Sequence, residues 1–108
     1  MAKTVRKWVA RWIDLRAASL APRTVECYRD QLRLHIAPTI GRRQLKSLKP
    51  KHVSAILADL IASGQSRTAQ LCFVILRASL KQAMSEGVIK SNPCDSVDPP
   101  RHRRADPR

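Results

Sequence analysis

Glycine is scarce in this chain of 108 residues: only Gly41, Gly64 and Gly87 occur. That excludes a glycine-rich phosphate loop, and each glycine falls where a helix or turn should end. Aromatics number four, namely two Trp, one Tyr and one Phe. Acidic residues number 8 against 21 Lys plus Arg, a net charge of +13. Carboxylates so few and scattered argue against paired acid–base catalysis. No apolar run approaches the roughly 18 residues that a membrane helix needs. The opening MAKTVRKWVARW spreads its charges and has no signal-peptide core. Cys27, Cys72 and Cys94 are odd in number and lack close spacing, which reads as reduced thiols in a cytoplasmic protein. Neither they nor His35, His52 and His102 form the close-spaced pairs of a zinc site. No metal or other cofactor is implied.

What is present is a basic chain long enough for one domain with a single core. An excess of +13 is self-repelling, and a polyanion offsets it. Nucleic acid leads, with a ribosomal or membrane-surface role as the competitor. The longest apolar block, Leu71-Cys72-Phe73-Val74-Ile75-Leu76, could be a strand or a buried helix. Its flanks decide: Ser66 suits an N-cap, strong helix formers follow, Gly87 stops the helix and Pro93 forbids a restart. The expectation is a central helix over 67–86, apolar on most of its circumference, with Arg67, Thr68, Gln70, Arg77, Lys81 and Gln82 left for a partner.

Three further helices are expected around it. The first covers 4–17, capped by Thr4, with Val5, Trp8, Val9, Trp12 and Ile13 as its inner stripe. Both tryptophans read as core. The second covers 22–35, with Pro22 at its first position and Val25, Tyr28, Leu32 and Ile36 facing inward. Thr24 and Tyr28 stand one turn apart; either their hydroxyls share a phosphate, or Thr24 makes a local cap and Tyr28 is a half-buried ring. Pro38 and Gly41 end this helix, and Arg42-Arg43 follow as an exposed basic pair, with Leu45 and Leu48 as apolar anchors. The third covers 50–63, with Val53, Ile56, Leu57, Leu60 and Ile61 inward. Lys49, Lys51 and His52 at its start oppose the helix dipole, which makes more sense if an anion binds there. Arg23-Thr24 and Arg67-Thr68 occupy equivalent first turns, where unpaired backbone N–H groups project. The segment 98–108, DPPRHRRADPR, is read as a basic, proline-rich linker following a domain over 1–97.

The order of motifs resembles one family. Ala21-Pro22-Arg23-Thr24 leads through three residues to Tyr28; an Ile-x-Pro-x-Ile-Gly turn follows over 36–41; Ser66-Arg67-Thr68 opens a long helix that ends in Gly87-x-Ile89-x-x-Asn92-Pro93. This pattern is similar to the N-terminal core-binding, SAM-like domain of tyrosine recombinases, or phage integrases. The resemblance implies an all-α fold of four main helices in two crossed antiparallel hairpins, with the second and fourth facing duplex DNA. It also implies a separate catalytic domain carrying the Arg, Lys, His-x-x-Arg and tyrosine nucleophile, none of whose pattern occurs here. The expected function is the DNA-binding module of a site-specific recombinase, not an enzyme as this chain. Further recombinase protomers are its expected partners in the full-length protein.

For DNA contacts the candidates are Arg23, Thr24, Arg29, Arg67, Thr68, Gln70, Arg77 and Lys81, with Arg42, Arg43, Lys49 and Lys51 as a second rank. Arg77 or Gln70 is the choice for a base edge, since Arg reads guanine and Gln adenine. The alternative is a basic helical interaction module, or a helix-turn-helix-like regulator, binding RNA, DNA or an acidic protein. The short Gly64-Gln65-Ser66 connection keeps that alternative open.

Overall fold

The first helix, α1 (Val5–Arg16), starts where Thr4 accepts a hydrogen bond from the Lys7 amide at 3.3 Å. Its remaining early N–H groups are satisfied from elsewhere in the chain. The amides of Val5 and Arg6 donate to the carbonyls of Arg43 and Gly41, at 2.9 and 3.0 Å. The Leu45 amide donates to the Lys3 carbonyl at 2.9 Å, so the loop after the second helix is tied to the start of the first. These positions come from a computed structural model, which describes residues 3–98.

Helix α2 (Pro22–Gln31) opens with Pro22, as expected, but runs as regular α-helix only to Gln31. Leu32–Ile36 forms a π turn, with the Ala37 amide reaching the Leu32 carbonyl at 2.7 Å. Pro38 has no amide to donate back to Leu34, and the ladder shifts register ahead of it. Gly41 is required by space: a Cβ there would lie 2.5 Å from the Ala37 Cα.

A short 3-10 turn (Leu45–Ser47) leads to α3 (Pro50–Ala62), and α4 (Ser66–Ser85) follows almost at once. Ser66 was expected to cap α4; it is instead the first helical residue, and Gln65 is the cap. The reason lies in how α3 ends. Gly64 has φ +77, its amide bonds Ile61 at 3.0 Å, and the Gln65 amide bonds Leu60 at 2.8 Å. This Schellman closure satisfies the last carbonyls of α3 and leaves Gln65 alone between the helices. The same closure ends α4: Gly87 has φ +76, with amide bonds from Gly87 to Met84 and from Val88 to Ala83. A second 3-10 turn (Pro93–Ser96) completes the described chain. Among the described residues there is no strand, only an isolated bridge between Thr4 and Gln44.

Helix α4 is the central element and touches α1, α2, α3 and the final turn. Ala69, Cys72, Phe73, Ile75, Leu76, Ser79, Leu80 and Ala83 form its buried face. Full burial of Ile75, Leu76 or Leu80 is worth roughly 1.5–3 kcal/mol each. The expected near-complete burial of its apolar block does not hold: Val74 is 49% exposed and Leu71 is half-buried. The same correction applies to Ile61 of α3, which is 46% exposed while Val53, Ile56, Leu57 and Leu60 are buried. Trp8 and Trp12 are core, and the Trp8 indole N–H donates to the Ser79 carbonyl at 2.7 Å, fastening α1 to α4.

The helices form two antiparallel hairpins, α1–α2 and α3–α4, which cross. Antiparallel pairing in the second is visible where the start of α3 meets the end of α4: Leu45, Leu48 and Pro50 face Met84, Val88 and Ile89 across a groove. Residues 99–108, most of the expected linker, lie outside the described residues.

Candidate nucleic-acid interface

Helix α4 places Arg67, Gln70, Arg77 and Lys81 on one stripe, because steps of three, seven and four residues return to nearly the same side of a helix. The helix contains no acidic residue, and its opposite face is the buried one. Arg67 and Lys81 have no ion pair among the described residues. Arg77 is loosely paired with Asp95 at 3.8 Å, both side chains more than half exposed. Thr68 does not join this stripe. It turns about 100° away from Arg67 and is half-buried.

On α2, Arg23 is exposed in the first turn and Thr24 beside it is half-buried. Arg67 and Thr68 show the same pairing at the same helical positions, so the two helix starts are alike in placement as well as in sequence. Arg29 lies about 120° around α2 from Arg23. It is committed to Asp14 on α1 at 2.9 Å, and Arg33 is paired with Asp30 at 3.1 Å. Tyr28 is the half-buried ring of the second of its two readings, stacked on Trp12 with centroids 5.9 Å apart. Thr24 makes no local cap: the α2 N-cap is Ala21, without a side-chain bond.

A second basic group surrounds the start of α3. Arg42, Arg43, Lys49 and Lys51 are exposed and have no acidic partner among the described residues. Lys46, which the sequence reading passed over, lines the same groove as Lys49. His52 lies among them, its Nδ1 accepting the Lys49 amide at 3.0 Å. Partial desolvation and the nearby Arg43, Lys51 and Lys49 cations hold its pKa below the ordinary value. The cations gathered at this helix start thus add to desolvation in disfavouring the protonated imidazole.

One residue of the motif pattern proves to be architectural. Asn92 is buried; its Nδ2 donates to the Arg77 carbonyl at 3.0 Å and its Oδ1 accepts the Cys94 amide at 2.9 Å. It clips the final turn onto the middle of α4. Cys72 and Cys94 are buried, and burial above all pushes both thiols up to about 12, so neither is a thiolate near neutrality. Among the described residues no cluster of His, Cys, Asp or Glu could hold a metal ion, and no helix is long and apolar enough to cross a membrane.

Two crossed helical hairpins with a cationic outer stripe define a SAM-like module of the integrase type. The chain belongs to the phage integrase central-domain family, whose model matches residues 5–99. The fold is shared with a lambda integrase dimer bound to a COC′ core site, at TM-score 0.86 and 20% identity over 95% of this chain. This chain spans 29% of the length of that integrase. An isolated integrase-like domain from Bacillus cereus gives TM-score 0.85 at 20% identity, covering 95% of this chain and 88% of that one. The phage integrase SAM-like domain from Moorella thermoacetica is 33% identical, with TM-score 0.72, covering 96% of this chain and 91% of that one. No curated protein matches the chain. The family model is that of the central domain, and the Bacillus cereus and Moorella thermoacetica domains are of similar extent, so this chain by itself is the non-catalytic module of the family.

Proposed function

We propose that this chain is the duplex-DNA-binding module of a site-specific tyrosine recombinase, with cleavage and joining carried by a catalytic domain outside it. The observation that carries this reading is the outer stripe of α4. It presents cations without an acid of its own, on a helix whose other side is locked into the core. Arg67 and Lys81 act on phosphates, and Arg77 or Gln70 reads a base edge. Arg23 and Thr24 supply a second grip at the start of α2. Arg29 and Thr68 are weaker candidates, the first because Asp14 holds it, the second because it turns away from the stripe. Arg42, Arg43, Lys49 and Lys51 reinforce the grip from the start of α3. In the full-length recombinase, further protomers assemble on the same DNA.

The test is a salt titration against duplex DNA, single-stranded DNA and RNA. With about five phosphates neutralised, the log–log slope on duplex should be near −4 to −5. A slope near zero on duplex rejects the reading, and tighter binding to RNA favours the alternative of a general basic interaction module. Arg77→Ala should relax sequence preference, whereas Lys81→Ala should weaken all sequences alike. Bound alone the module should be weak, because a clamp gains affinity from its second tethered contact.

A further inference from the structure

Val74 sits at the centre of the α4 stripe. Arg67 and Lys81 lie seven residues to either side, Gln70 four before and Arg77 three after. It is 49% exposed, in a block whose neighbours Cys72, Phe73, Ile75 and Leu76 are buried. The other large exposed apolar residues are placed differently. Leu15 adjoins Asp14 and its ion pair, Leu34 lies in the π turn, Ile61 near the end of α3, and Met84 lines the groove beside α3. Val74 is thus an exposed β-branched apolar side chain framed by cations on both sides along the helix. A solvated cationic face has no use for it, since a polar residue there would cost nothing.

We propose that Val74 is a specificity residue that packs against the C5-methyl group of a thymine in the major groove. The occupant follows from charge and chemistry together. The flanking Arg67, Arg77 and Lys81 select a polyanion, and the one apolar group that duplex DNA offers in its major groove is the thymine methyl. RNA helices present neither that methyl nor a major groove that a side chain can read. With Arg77 or Gln70 reading a neighbouring base edge, the centre of α4 specifies a short sequence containing at least one thymine. The proposal rests on the duplex-DNA reading above and adds one position to it.

The experiment selects preferred sites from a randomised duplex library, then replaces each thymine of the preferred site singly by deoxyuridine. Wild-type protein should lose about fourfold in affinity at one thymine, the value of one buried methyl group. Val74→Ala should bind the thymine site more weakly, and should not distinguish thymine from uracil at that position. Because Val74 is half-exposed, the variant should melt close to wild type, which a thermal scan checks. Duplex binding with a normal salt slope but no effect of uracil at any thymine overturns the Val74 proposal alone. An uracil effect that persists unchanged in Val74→Ala also overturns it. A salt slope near zero would instead remove the DNA-binding reading beneath it.

Discussion

The two hairpins differ in how far their cations are neutralised from within. In the α1–α2 hairpin three cations are answered, Arg29 by Asp14, Arg33 by Asp30 and Arg11 by Glu86, while Arg6, Lys7, Arg16 and Arg23 have no acidic partner among the described residues. In the α3–α4 hairpin and the loop before it, Arg42, Arg43, Lys49, Lys51, Arg67 and Lys81 have no acidic partner among the described residues, and Arg77 has only a 3.8 Å contact with Asp95. The number of cations in each half matters less than what neutralises them. Surface ion pairs of the first kind add little stability. Unanswered cations of the second kind cost some through mutual repulsion, and that cost is recovered when an external polyanion supplies the counter-charge. The first hairpin therefore behaves mainly as scaffold, with Arg23 at the start of α2 left over, and the second as the side held ready for phosphate.

The sharpest way to break this contrast is to neutralise equivalent numbers of cations on each side. Arg67, Arg77 and Lys81 changed together to Gln should flatten the salt slope by about two to three and weaken duplex binding roughly hundredfold or more. Arg11, Arg29 and Arg33 changed together to Gln should leave the slope within about one of wild type. Equal losses in the two variants, measured by fluorescence anisotropy over a salt series, would erase the distinction.

The next effect is on stability. Asn92→Ala orphans the buried Cys94 amide and removes the second donor to the Arg77 carbonyl, and should cost about 1–3 kcal/mol in denaturant unfolding. A loss below about 0.5 kcal/mol would show that the final turn is not clipped to α4 through this residue. Smaller again is Asp14→Asn, which breaks an exposed pair and should cost at most about 1 kcal/mol. A larger loss would mean that the first hairpin depends on its ion pairs, contrary to its role as a hydrophobic scaffold.

The smallest effect is a pH dependence in the second hairpin. The folded-state pKa of His52 is lowered, so the unfolded chain takes up this proton first. Its contribution is present above the ordinary value of 6.5 and is lost as pH falls below it. Protonation also removes the Nδ1 acceptor that holds the Lys49 amide. Glu86, lowered first by its hydrogen bond from Gln82, loses its contribution further into acid. Between pH 7 and 5 the melting temperature of wild type should therefore fall more than that of His52→Ala. Parallel curves would remove His52 from the charge balance of the α3 start.

Much of the architecture was legible in the residues. Stripes at three- and four-residue spacing marked the first three helices, the flanks of the apolar block marked the fourth, and Pro22, Pro50, Gly64 and Gly87 marked their ends, because those signals act over one or two turns. What escaped were features set by distant partners. The π turn at Leu32–Ile36 depends on where the chain must go after Pro38. Ser66 missed its capping role because the α3 closure takes up Gly64 and Gln65. Val74 vanished into an apolar run, though the spacing of Arg67, Gln70, Arg77 and Lys81 already pointed to it. Asn92 stands in the motif after the long helix, and nothing local shows that its amide reaches a carbonyl 15 residues earlier.

The local chemistry of the chain settled that it would be helical, strongly cationic, poor in catalytic groups and built around a helix expected over 67–86. Those are properties of backbone propensity, periodicity and composition, which need no tertiary contact to be expressed. Only the folded arrangement decided which cations were spent on internal acids and which were left over, and which side of α4 remained in water. Both outcomes depend on how the hairpins cross, and the crossing is chosen by side chains that lie far apart along the chain.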